Sequence, residues 1–573
     1  MGQDQKLATA LRPVILAVLA AAWSGASYGA DGGNKIPESQ SSLSADGDNL
    51  IPESRFHLGG YVRGAASMNL QDQPETTGND KGKLSMLRGT VLLDADYKAS
   101  TTAQFKVIAR ADREDNTSYL QSLAAPPSQK PVGSTAVVFN TNGGGGVGGL
   151  MDMYNQADLR ELWGQFDLND RVRIKLGKQQ IVWGESDFFR AMDIVQGFDY
   201  SWRSFLEVEN EELRKPLIMG RIMVQVPEAN GSVDAYVRPG WDRDRDIGNT
   251  YDLAGGRWAA QPTRGASFLY ATGYNYHSQG ADVRDPTGGI RWQGMAGEIN
   301  YSVALANTFN NDPVANPCPS TLAILGSKGA QVFKQAPTNC GFGSKDPYGN
   351  PLQFGDWIFP KTSILGMTAS GYSNAMDAVL STEIVFQKDR AFNYGFIDGK
   401  FGSNITPGAF GIIQKNTLTT MFRIDKNIDL TGIIGTSRPS FGSLQFFNTH
   451  ILGFDKSDEI VQLAYWDRAR SRDSAMLTAI LGMNYSNDRI NPSIAAGWDM
   501  SYGGGFFIPS VEWVLGDNWR VKGELDLFYA GGNTKNYYLS PTTGAFDRQG
   551  SSAGLMGYFA NSDQLAVRVT RQF

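Results

Sequence analysis

The stretch DNWRVKGELDLFYAGG, residues 517–532, carries two different sets of side chains on alternate positions. One set is apolar and has an aromatic residue at each end: Trp519, Val521, Gly523, Leu525, Leu527 and Tyr529. The other set holds charged residues followed by a phenylalanine: Arg520, Lys522, Glu524, Asp526 and Phe528. Because successive side chains of a β-strand point to opposite faces of its sheet, the stretch predicts a strand with one apolar and one charged face.

The same alternation recurs between turns along most of the chain from Phe56 onwards. The clearest predicted strands are Leu87–Tyr97, Gln104–Ala111, Asp158–Leu168, Arg171–Val182, Ile218–Val226, Ser232–Arg238, Ile290–Ala296, Glu298–Ala306, Thr417–Asp425, Met476–Tyr485, Ser510–Leu515, Trp519–Tyr529 and Gln564–Phe573. Long segments rich in Gly, Asn and Pro separate some of them, at residues 140–149, 241–263 and 307–362. The sequence therefore predicts an all-β protein with several long loops.

Two hairpins predict their own register, because residues directly opposite each other share a face of the sheet. A three-residue loop at Leu168–Asp170 gives the pairs Asp167 with Arg171, Gln165 with Arg173, Trp163 with Lys175, Phe166 with Val172, and Leu162 with Leu176. A three-residue loop at Gly516–Asn518 gives the pairs Leu515 with Trp519, Trp513 with Val521, Glu512 with Lys522, and Ser510 with Glu524. Opposite charges face each other in both hairpins, which supports both registers.

Alternation alone suits either a soluble sandwich, whose charged face meets water, or a membrane barrel, whose apolar face meets lipid. The strand pattern fills most of a 573-residue chain, and aromatic residues recur at the ends of the apolar stripes, which favours the barrel. The last strand places Leu565, Val567, Val569 and Phe573 on one face, which resembles the assembly signal of bacterial outer-membrane barrels, although Arg571 interrupts that face. A large secreted all-β protein is the alternative.

A membrane location also predicts closure of the sheet, since an open edge would leave backbone N–H and C=O groups without partners in lipid. Such barrels nearly always have an even number of strands, and about 14–18 strands fit this length of chain. We therefore expect a closed antiparallel transmembrane β-barrel over residues 55–573 with long extracellular loops. It would lie in the outer membrane of a Gram-negative bacterium, in contact with lipids and lipopolysaccharide.

The N-terminal region predicts export. An apolar run at Pro13–Ala22 follows Lys6 and Arg12 and precedes small residues, which is typical of a cleaved signal peptide over residues 1–30. Residues 31–54 are polar, contain the sequence IPES twice and predict a flexible periplasmic tail. Because an exported chain meets an oxidising compartment, we expect Cys318 and Cys340 to form a disulfide in a surface loop.

One segment breaks the alternation. From Trp183-Gly184-Glu185 to the next strand at Leu217, the pattern is helical or irregular and rich in aromatic and acidic residues. We predict a partly helical insert over residues 184–216 that lies in the lumen as a plug or constriction. An external loop is the alternative.

The flanks of this segment resemble a known family. Its signature is matched by Gly177-Lys178-Gln179, Trp183-Gly184-Glu185-Ser186, Asp193, Asp199, and Arg214 with Pro216. The family is the Gram-negative group known as domain of unknown function thirteen hundred and two. Its members commonly have Asn-Pro-Asp where this chain has Gly197-Phe198-Asp199. The resemblance implies an outer-membrane β-barrel that works with periplasmic lipid-handling proteins and large inner-membrane exporters, since their genes often lie nearby.

Trp183 and Glu185 fit two roles, a packing corner at a strand end or a part of the permeation path. A carboxylate inside a barrel needs a cationic partner, and the candidates for Glu185 are Arg173, Lys175 and Arg214. The remaining predicted lumen or constriction residues are aromatic: Phe188, Phe189 and Trp202.

The sequence contains no motif that indicates catalysis, a cofactor or a metal. Its three histidines, His57, His277 and His450, lie in no nucleophile or zinc motif. The net charge of -6 argues against nucleic acid as a partner. We predict an outer-membrane channel or transporter for small, hydrophobic or amphipathic compounds. The alternative is a non-conducting outer-membrane docking component of an envelope-spanning complex that exports lipids or hydrophobic compounds.

Overall fold

The computed structural model describes residues 55–72, 80–123, 154–186, 189–200, 210–243, 246–250, 286–315, 357–394, 411–458, 460–461, 470–529, 538–539, 546–547 and 562–573. Several predictions fall outside these described residues: the signal peptide, the N-terminal tail and the Cys318–Cys340 disulfide. The same holds for Phe188, Trp202 and His277.

Eighteen antiparallel strands form one closed wall. In chain order they are β1 Phe56–Asn69, β2 Leu84–Lys98, β3 Ala103–Glu114, β4 Ala157–Asp167, β5 Val172–Gln179, β6 Leu217–Val226, β7 Gly231–Arg238, β8 Thr287–Ala296, β9 Ile299–Phe309, β10 Lys361–Ser373, β11 Ala378–Tyr394, β12 Gly411–Ile428, β13 Ser440–Ile451, β14 Asp473–Gly482, β15 Ile490–Asp499, β16 Gly505–Leu515, β17 Trp519–Tyr529 and β18 Gln564–Gln572. Each strand pairs with the next along the chain, and β18 pairs with β1, so no edge of the wall stays open. The predicted closed barrel with an even number of strands is confirmed.

The two ends of the barrel differ in the length of their connections. Tight turns such as Gly516–Asn518 lie at one end, together with the start of β1 and the end of β18. The longest connections all lie at the other end, and one of them is the segment between β5 and β6. In outer-membrane barrels short turns face the periplasm and long loops face the outside.

The alternation in β17 sorts its side chains as the sequence predicts. Glu524 and Asp526 are 5% and 0% exposed and face inward, whereas Tyr529 is 49% exposed and faces outward. The outward face of the wall carries further exposed apolar residues, among them Val91, Leu176, Leu305, Met367, Ile384, Leu444, Trp498 and Val567. Leu525 and Leu527 lie on this same outward face, because they alternate with the buried carboxylates.

The Gly516–Asn518 hairpin has the predicted register. Leu515 lies opposite Trp519, Trp513 opposite Val521, Glu512 opposite Lys522, and Ser510 opposite Glu524. Gly516 has a φ of +62°, the left-handed conformation that one position of a three-residue hairpin loop requires.

The register predicted for the β4–β5 hairpin is wrong by two residues. Gln165 lies opposite Lys175, and Asp167 lies opposite Arg173 instead of Arg171. The loop still has three residues, 169–171, because the backbone N–H of Leu168 donates to the Val172 carbonyl oxygen. Asn169 decides the position: its Oδ1 accepts hydrogen bonds from the backbone N–H groups of Arg171 and Val172, each at 2.9 Å. A shift of two residues keeps the faces unchanged, so alternation could not detect it.

Other regular structure in the described residues is short. The helical turns are Ser118–Leu123, Asn210–Leu213 and Thr431–Ile434, and the 3-10 turns are Pro227–Ala229 and Lys456–Asp458. Two-residue strands pair Val314–Ala315 with Trp357–Ile358 and Tyr538–Leu539 with Phe546–Asp547, while Ile460–Val461 pairs with the end of β11. In the described part of the chain, no helix has the length and apolar character to cross a membrane.

Candidate functional site

The segment between β5 and β6 packs on the inward face of the wall. Its described apolar residues join one buried cluster: Ile181, Trp183, Ala191, Met192, Val195, Phe198, Tyr200 and Leu213. The wall supplies inward-facing residues to the same cluster from many strands: Tyr236, Ala304, Ala306, Ile364, Val385, Met421, Phe447, Met476, Phe506, Ile508 and Phe528. We call residues 180–216 the inner segment.

The motif Gly177-Lys178-Gln179 ends β5, directly before the inner segment. Gly177 has a φ of +126°, and a Cβ at this position would lie 2.1 Å from the Leu162 carbonyl oxygen, so only glycine fits. Gln179 is fully buried, and its Nε2 donates to the carbonyl oxygens of Met219 at 3.1 Å and Lys175 at 3.2 Å. Both motif residues therefore shape the end of β5.

Gln196 ties the two ends of the inner segment together. Its Oε1 accepts a hydrogen bond from the backbone N–H of Ile181 at 2.7 Å. Its Nε2 donates to the carbonyl oxygens of Gln179 and Lys215, each at 3.0 Å. A single buried amide thus satisfies three backbone groups, and two of them, those of Ile181 and Lys215, lie outside the strands of the wall.

Trp183 forms a packing corner against β7. The side chain is 2% exposed, its Nε1 donates to Asp234 Oδ2 at 3.0 Å, and its ring lies 5.5 Å from the Tyr236 ring. Asp234 also forms a two-point ion pair with Arg221, with distances of 2.6 and 2.7 Å. Of the two roles that the sequence left open for Trp183, these contacts fit the packing corner.

Glu383, a fully buried residue of β11, binds the stretch that follows Trp183. Its carboxylate accepts hydrogen bonds from the backbone N–H of Glu185 and, at 2.6 Å, from that of Met192. Gly184 leaves no space for a side chain here, because a Cβ would lie 2.9 Å from the Asp193 nitrogen and 3.3 Å from Glu383 Oε1. The Trp-Gly-Glu motif thus makes the close approach to Glu383 possible.

Further contacts fix the same stretch to neighbouring strands. Arg423 of β12 donates through Nη1 to the Glu185 carbonyl oxygen at 2.6 Å. The Phe189 ring lies 5.8 Å from that of Phe447 on β13. The Met192 side chain occupies the space that a Cβ of Gly366 on β10 would fill.

The predicted partners of Glu185 are wrong. Arg173 pairs with Asp167 at 2.6 Å, Lys175 lies 3.7 Å above the Trp163 ring, and Arg214 pairs with Asp193. Arg173 and Lys175 lie towards the short-turn end of β5, whereas Glu185 follows the opposite end of that strand. Because a strand rises about 3.3 Å per residue, most of the length of β5 separates Arg173 and Lys175 from Glu185. The Glu185 side chain itself is exposed.

A cation–aromatic group lies deeper in the inner segment. The Arg190 guanidinium lies 3.6 Å from the Phe198 ring centroid, and its Nη1 donates to the Tyr200 hydroxyl at 2.7 Å. Burial raises the pKa of the Tyr200 phenol, so this hydroxyl stays protonated at neutral pH. Arg214 lies 5.4 Å from the same Phe198 ring and pairs with the buried Asp193.

Segments from other long connections join the inner segment. Gly197 approaches Gly248 so closely that a Cβ would lie 2.1 Å from the Gly248 carbonyl carbon. The backbone of Thr250 exchanges hydrogen bonds with Phe198 and Tyr200, and Asn249 Oδ1 accepts from the Phe198 N–H at 2.9 Å. Through these contacts, residues 248–250 of the β7–β8 connection hold the region around Phe198 in place.

The far end of the inner segment contacts the opposite strands of the wall. Glu212 accepts hydrogen bonds from Tyr61 at 2.7 Å and from Arg63 at 3.0 Å, both on β1. Arg110 of β3 donates to the Glu212 carbonyl oxygen at 3.1 Å. Arg160 of β4 donates to the carbonyl oxygens of Glu211 and Arg214 at 2.7 and 2.8 Å. The inner segment therefore contacts β1, β3 and β4 on one side and β7 to β13 on the other.

The predicted helical character of the insert is not confirmed. Of its described residues, those up to Tyr200 are irregular, and the helical turn Asn210–Leu213 spans only four residues. The reason lies in its hydrogen bonds: side chains such as Gln196 and Glu383 satisfy the backbone groups that a helix would pair internally.

Sequence reasoning missed the residues of the wall that hold the inner segment: Glu383, Asp234, Arg160, Arg110 and Arg63. Alternation places each of them on an inward face. Alternation does not indicate which residue of a segment far away in sequence each of them contacts.

The described residues include no group of three or more His, Cys, Asp or Glu side chains that could hold a metal ion. His450 Nδ1 lies 2.7 Å from Asp473 Oδ1, in a pair between β13 and β14 that is partly exposed.

A family model with the description "Protein of unknown function (DUF1302)" matches residues 11–573, which is nearly the whole chain. The chain belongs to this family. The resemblance predicted from the Gly177 and Trp183 motifs is thereby confirmed. None of the curated proteins matches this DUF1302 member.

Solved structures of similar architecture share little sequence with it. OccAB3 of Acinetobacter baumannii has a TM-score of 0.41 and 8% identity, covering 90% of this chain and 99% of its own. OpdK of Pseudomonas aeruginosa, solved with vanillate, has a TM-score of 0.40 and 8% identity over 90% and 98% of the two chains. An anion-selective porin from Comamonas acidovorans has a TM-score of 0.34 and 9% identity over 90% and 99%. A shared barrel does not carry substrate specificity from one chain to another.

Proposed function

We propose that this DUF1302 protein is an outer-membrane channel in which the inner segment forms the constriction. The observation that carries the proposal is the set of contacts across the lumen. Trp183 and Glu185 are held by Asp234 and Glu383, whereas Glu212 is held by Tyr61 and Arg63 on the opposite strands. A segment that contacts both sides of a closed wall lies across the lumen and limits which solutes pass.

The outward surface supports a membrane location. Exposed apolar residues recur on every part of the wall, as Leu305 at 55%, Met367 at 47% and Val567 at 43% illustrate. Soluble monomers rarely expose continuous apolar patches larger than a few hundred Å². A barrel surrounded by an apolar band of this kind is stable when acyl chains cover the band.

The nature of the lumen supports a hydrophobic or amphipathic cargo. Phe189, Met192, Phe447 and Phe506 belong to one apolar cluster around the inner segment, beside wall positions that carry charges. The charges have both signs, as in the pairs Arg221–Asp234 and Lys522–Glu524. A path that opens beside this buried cluster meets apolar side chains and charges of both signs. It favours molecules that combine an apolar body with a polar group, and it provides no filter of a single sign.

A deletion tests the constriction. Residues 188–213 are replaced by a short Gly-Ser linker, and single-channel conductance in KCl is measured in planar bilayers. We expect larger conductance than in the wild type, because the deletion removes the contacts that cross the lumen. The control replaces the exposed helical turn Thr431–Ile434, at the short-turn end of the barrel, with a Gly-Ser linker and should leave the conductance nearly unchanged.

Both variants need verification of folding by circular dichroism before conductance is compared. Unchanged conductance in a folded 188–213 deletion would contradict the constriction. Absence of conductance in both the wild type and the deletion would favour the docking alternative, and capture of periplasmic partners through residues 31–54 would then test it.

A further inference from the structure

Three arginines from neighbouring parts of the wall converge on one end of the inner segment. Arg63, Arg110 and Arg160 lie on β1, β3 and β4 and are 6%, 8% and 5% exposed. All three donate hydrogen bonds to the stretch between Glu211 and Arg214. Two of these buried guanidinium groups have a carboxylate partner, Glu212 for Arg63 and Asp112 for Arg110. Together the three groups offer several converging donors to an anion.

A carboxylate occupies the centre of this region. Glu212 Oε1 accepts hydrogen bonds from the Tyr61 hydroxyl at 2.7 Å and from Arg63 Nη1 at 3.0 Å, and Oε2 lies 3.0 Å from the same nitrogen. The Arg63 guanidinium also lies 4.2 Å from the Tyr61 ring centroid, and its Nε donates to Thr570 Oγ1 at 3.2 Å. These contacts hold Arg63 in one orientation, which prepares it for a planar anion.

Arg160 has contacts of a different kind. Its Nη2 donates to two backbone carbonyl oxygens, those of Glu211 and Arg214, which are neutral acceptors. Arg110 forms an ion pair with Asp112 at 3.0 Å. It also donates a hydrogen bond to the Glu212 carbonyl oxygen. Burying arginine is costly unless anionic or dipolar partners compensate its charge, so an anion that enters this region gains favourable interactions.

An apolar surface begins directly beside the carboxylate. Leu213, the next residue after Glu212, is 1% exposed and belongs to the apolar cluster that includes Phe198 and Met192. Once Glu212 is displaced, a ligand with a carboxylate at one end and an alkyl or aromatic body would place that body against these apolar residues.

We propose that Tyr61, Arg63, Arg110 and Arg160 form a binding site for the carboxylate of an amphipathic ligand, and that Glu212 is its built-in occupant. The ligand carboxylate replaces Glu212 at Tyr61 and Arg63, which releases that anchor of the inner segment. The inference rests on the proposed channel and names its substrate class. Because the ligand carboxylate and the Glu212 carboxylate occupy the same donors, only one of them binds at a time. A ligand held at this place obstructs the ion path and lowers the current.

The test measures block of the KCl current by octanoate, with octanol as the uncharged probe of the same chain length. Arg63→Gln should raise the half-blocking concentration of octanoate about tenfold or more, because a charge-assisted hydrogen bond to the carboxylate is lost. Glu212→Gln removes the competing charge and should lower that concentration about tenfold, since an intramolecular competitor acts at millimolar effective concentration. The half-blocking concentration of octanol should be the same in all these proteins.

Two further variants test whether the effects of Arg63→Gln and Glu212→Gln come from the proposed site. Tyr61→Phe keeps the ring beside Arg63 and removes one hydrogen bond, so it tests the site with little risk to folding. We expect a half-blocking concentration raised several-fold in this variant. Asp167→Asn, which breaks the remote Arg173–Asp167 pair at the short-turn end, is the matched control and should behave like the wild type.

The outcome separates this inference from the proposed function. Equal octanoate block in the wild type, Arg63→Gln, Tyr61→Phe and Glu212→Gln would overturn the carboxylate site while the channel stands. If the wild type carries no current, the channel fails, and calorimetric titration of the detergent-solubilised protein with octanoate decides the site by itself. Preference for octanoate over octanol that disappears in Arg63→Gln would support it.

Discussion

The wall and the inner segment are held by different kinds of hydrogen bonds. In the wall, each strand pairs its backbone with two neighbours, and the ladder does not depend on which side chains are present. In the inner segment, side chains supply the partners of the backbone, as Gln196, Glu383 and Arg160 do. A single substitution in the inner segment should therefore strongly lower local stability. A substitution in the wall should change stability mainly according to whether the new side chain faces lipid or the lumen.

The largest effect is expected where the wall faces the centre of the bilayer. Met367 of β10 is 47% exposed on the outward face, beside Ile384 of β11. Met367→Arg should lower the free energy of unfolding in lipid vesicles by about 2–4 kcal/mol, because a charge would enter the hydrocarbon layer. Denaturant unfolding monitored by tryptophan fluorescence measures the change.

The matched control for that substitution is Leu515→Arg. Leu515 is also exposed and outward-facing, but it lies beside the Gly516–Asn518 turn. Its cost should be about 0–1 kcal/mol, since an arginine near the membrane interface reaches water. Equal costs at both positions would contradict the assignment of lipid to the outward face.

A smaller effect is expected at Glu383, which joins the wall to the inner segment. Glu383→Ala removes the acceptor for the backbone N–H groups of Glu185 and Met192 and should cost about 1–3 kcal/mol of local stability. Amide hydrogen exchange followed by mass spectrometry should show faster exchange at residues 185–192, by roughly tenfold or more.

Two controls on β11 sharpen that experiment. Glu383→Gln keeps one carbonyl oxygen and should cause a smaller increase in exchange. Ile384→Ala changes the neighbouring outward residue and should leave residues 185–192 unaffected. If Glu383→Ala exchanges like the wild type, the carboxylate does not hold the inner segment.

The smallest effect is expected at a turn of the wall. Asn169→Ala removes the acceptor for the backbone N–H groups of Arg171 and Val172 and should lower the free energy of unfolding by about 1 kcal/mol. Asn169→Asp retains an acceptor oxygen and should have nearly wild-type stability. A loss in Asn169→Asp as large as in Asn169→Ala would show that the side-chain acceptor does not fix the β4–β5 register.

The sequence predicted the wall best where inward residues are polar. β17 alternates cleanly because Glu524 and Asp526 face the lumen, and its bounds were predicted without error. β11 was not among the clear predictions, since its inward Val385 follows Ile384 and precedes Phe386, and three apolar residues in a row hide the alternation. The same cause shortened the prediction for β16, whose first half contains Phe506, Phe507 and Ile508. Strands with apolar inward residues, such as β11 and β16, are therefore the ones that alternation describes worst.

For the candidate site, the sequence predicted the place but not the partners. The Trp183-Gly184-Glu185 motif located the break between β5 and β6, and Phe189 packs against the apolar cluster. The candidate partners of Glu185, which were Arg173, Lys175 and Arg214, have other contacts, because ion pairs depend on where residues far apart in sequence meet. Glu383 follows Glu185 by 198 positions, and nothing local in either stretch indicates their contact.

The adjacency of β5 and β6 has a consequence for how such a barrel can change. Gln179 and Leu217, where the chain leaves and rejoins the wall, lie opposite each other in a paired ladder. The residues between them can therefore change without altering the backbone ladder that closes the cylinder. The conduit and its contents can thus diversify at separate rates, and an engineered nanopore could keep this scaffold while its interior is redesigned.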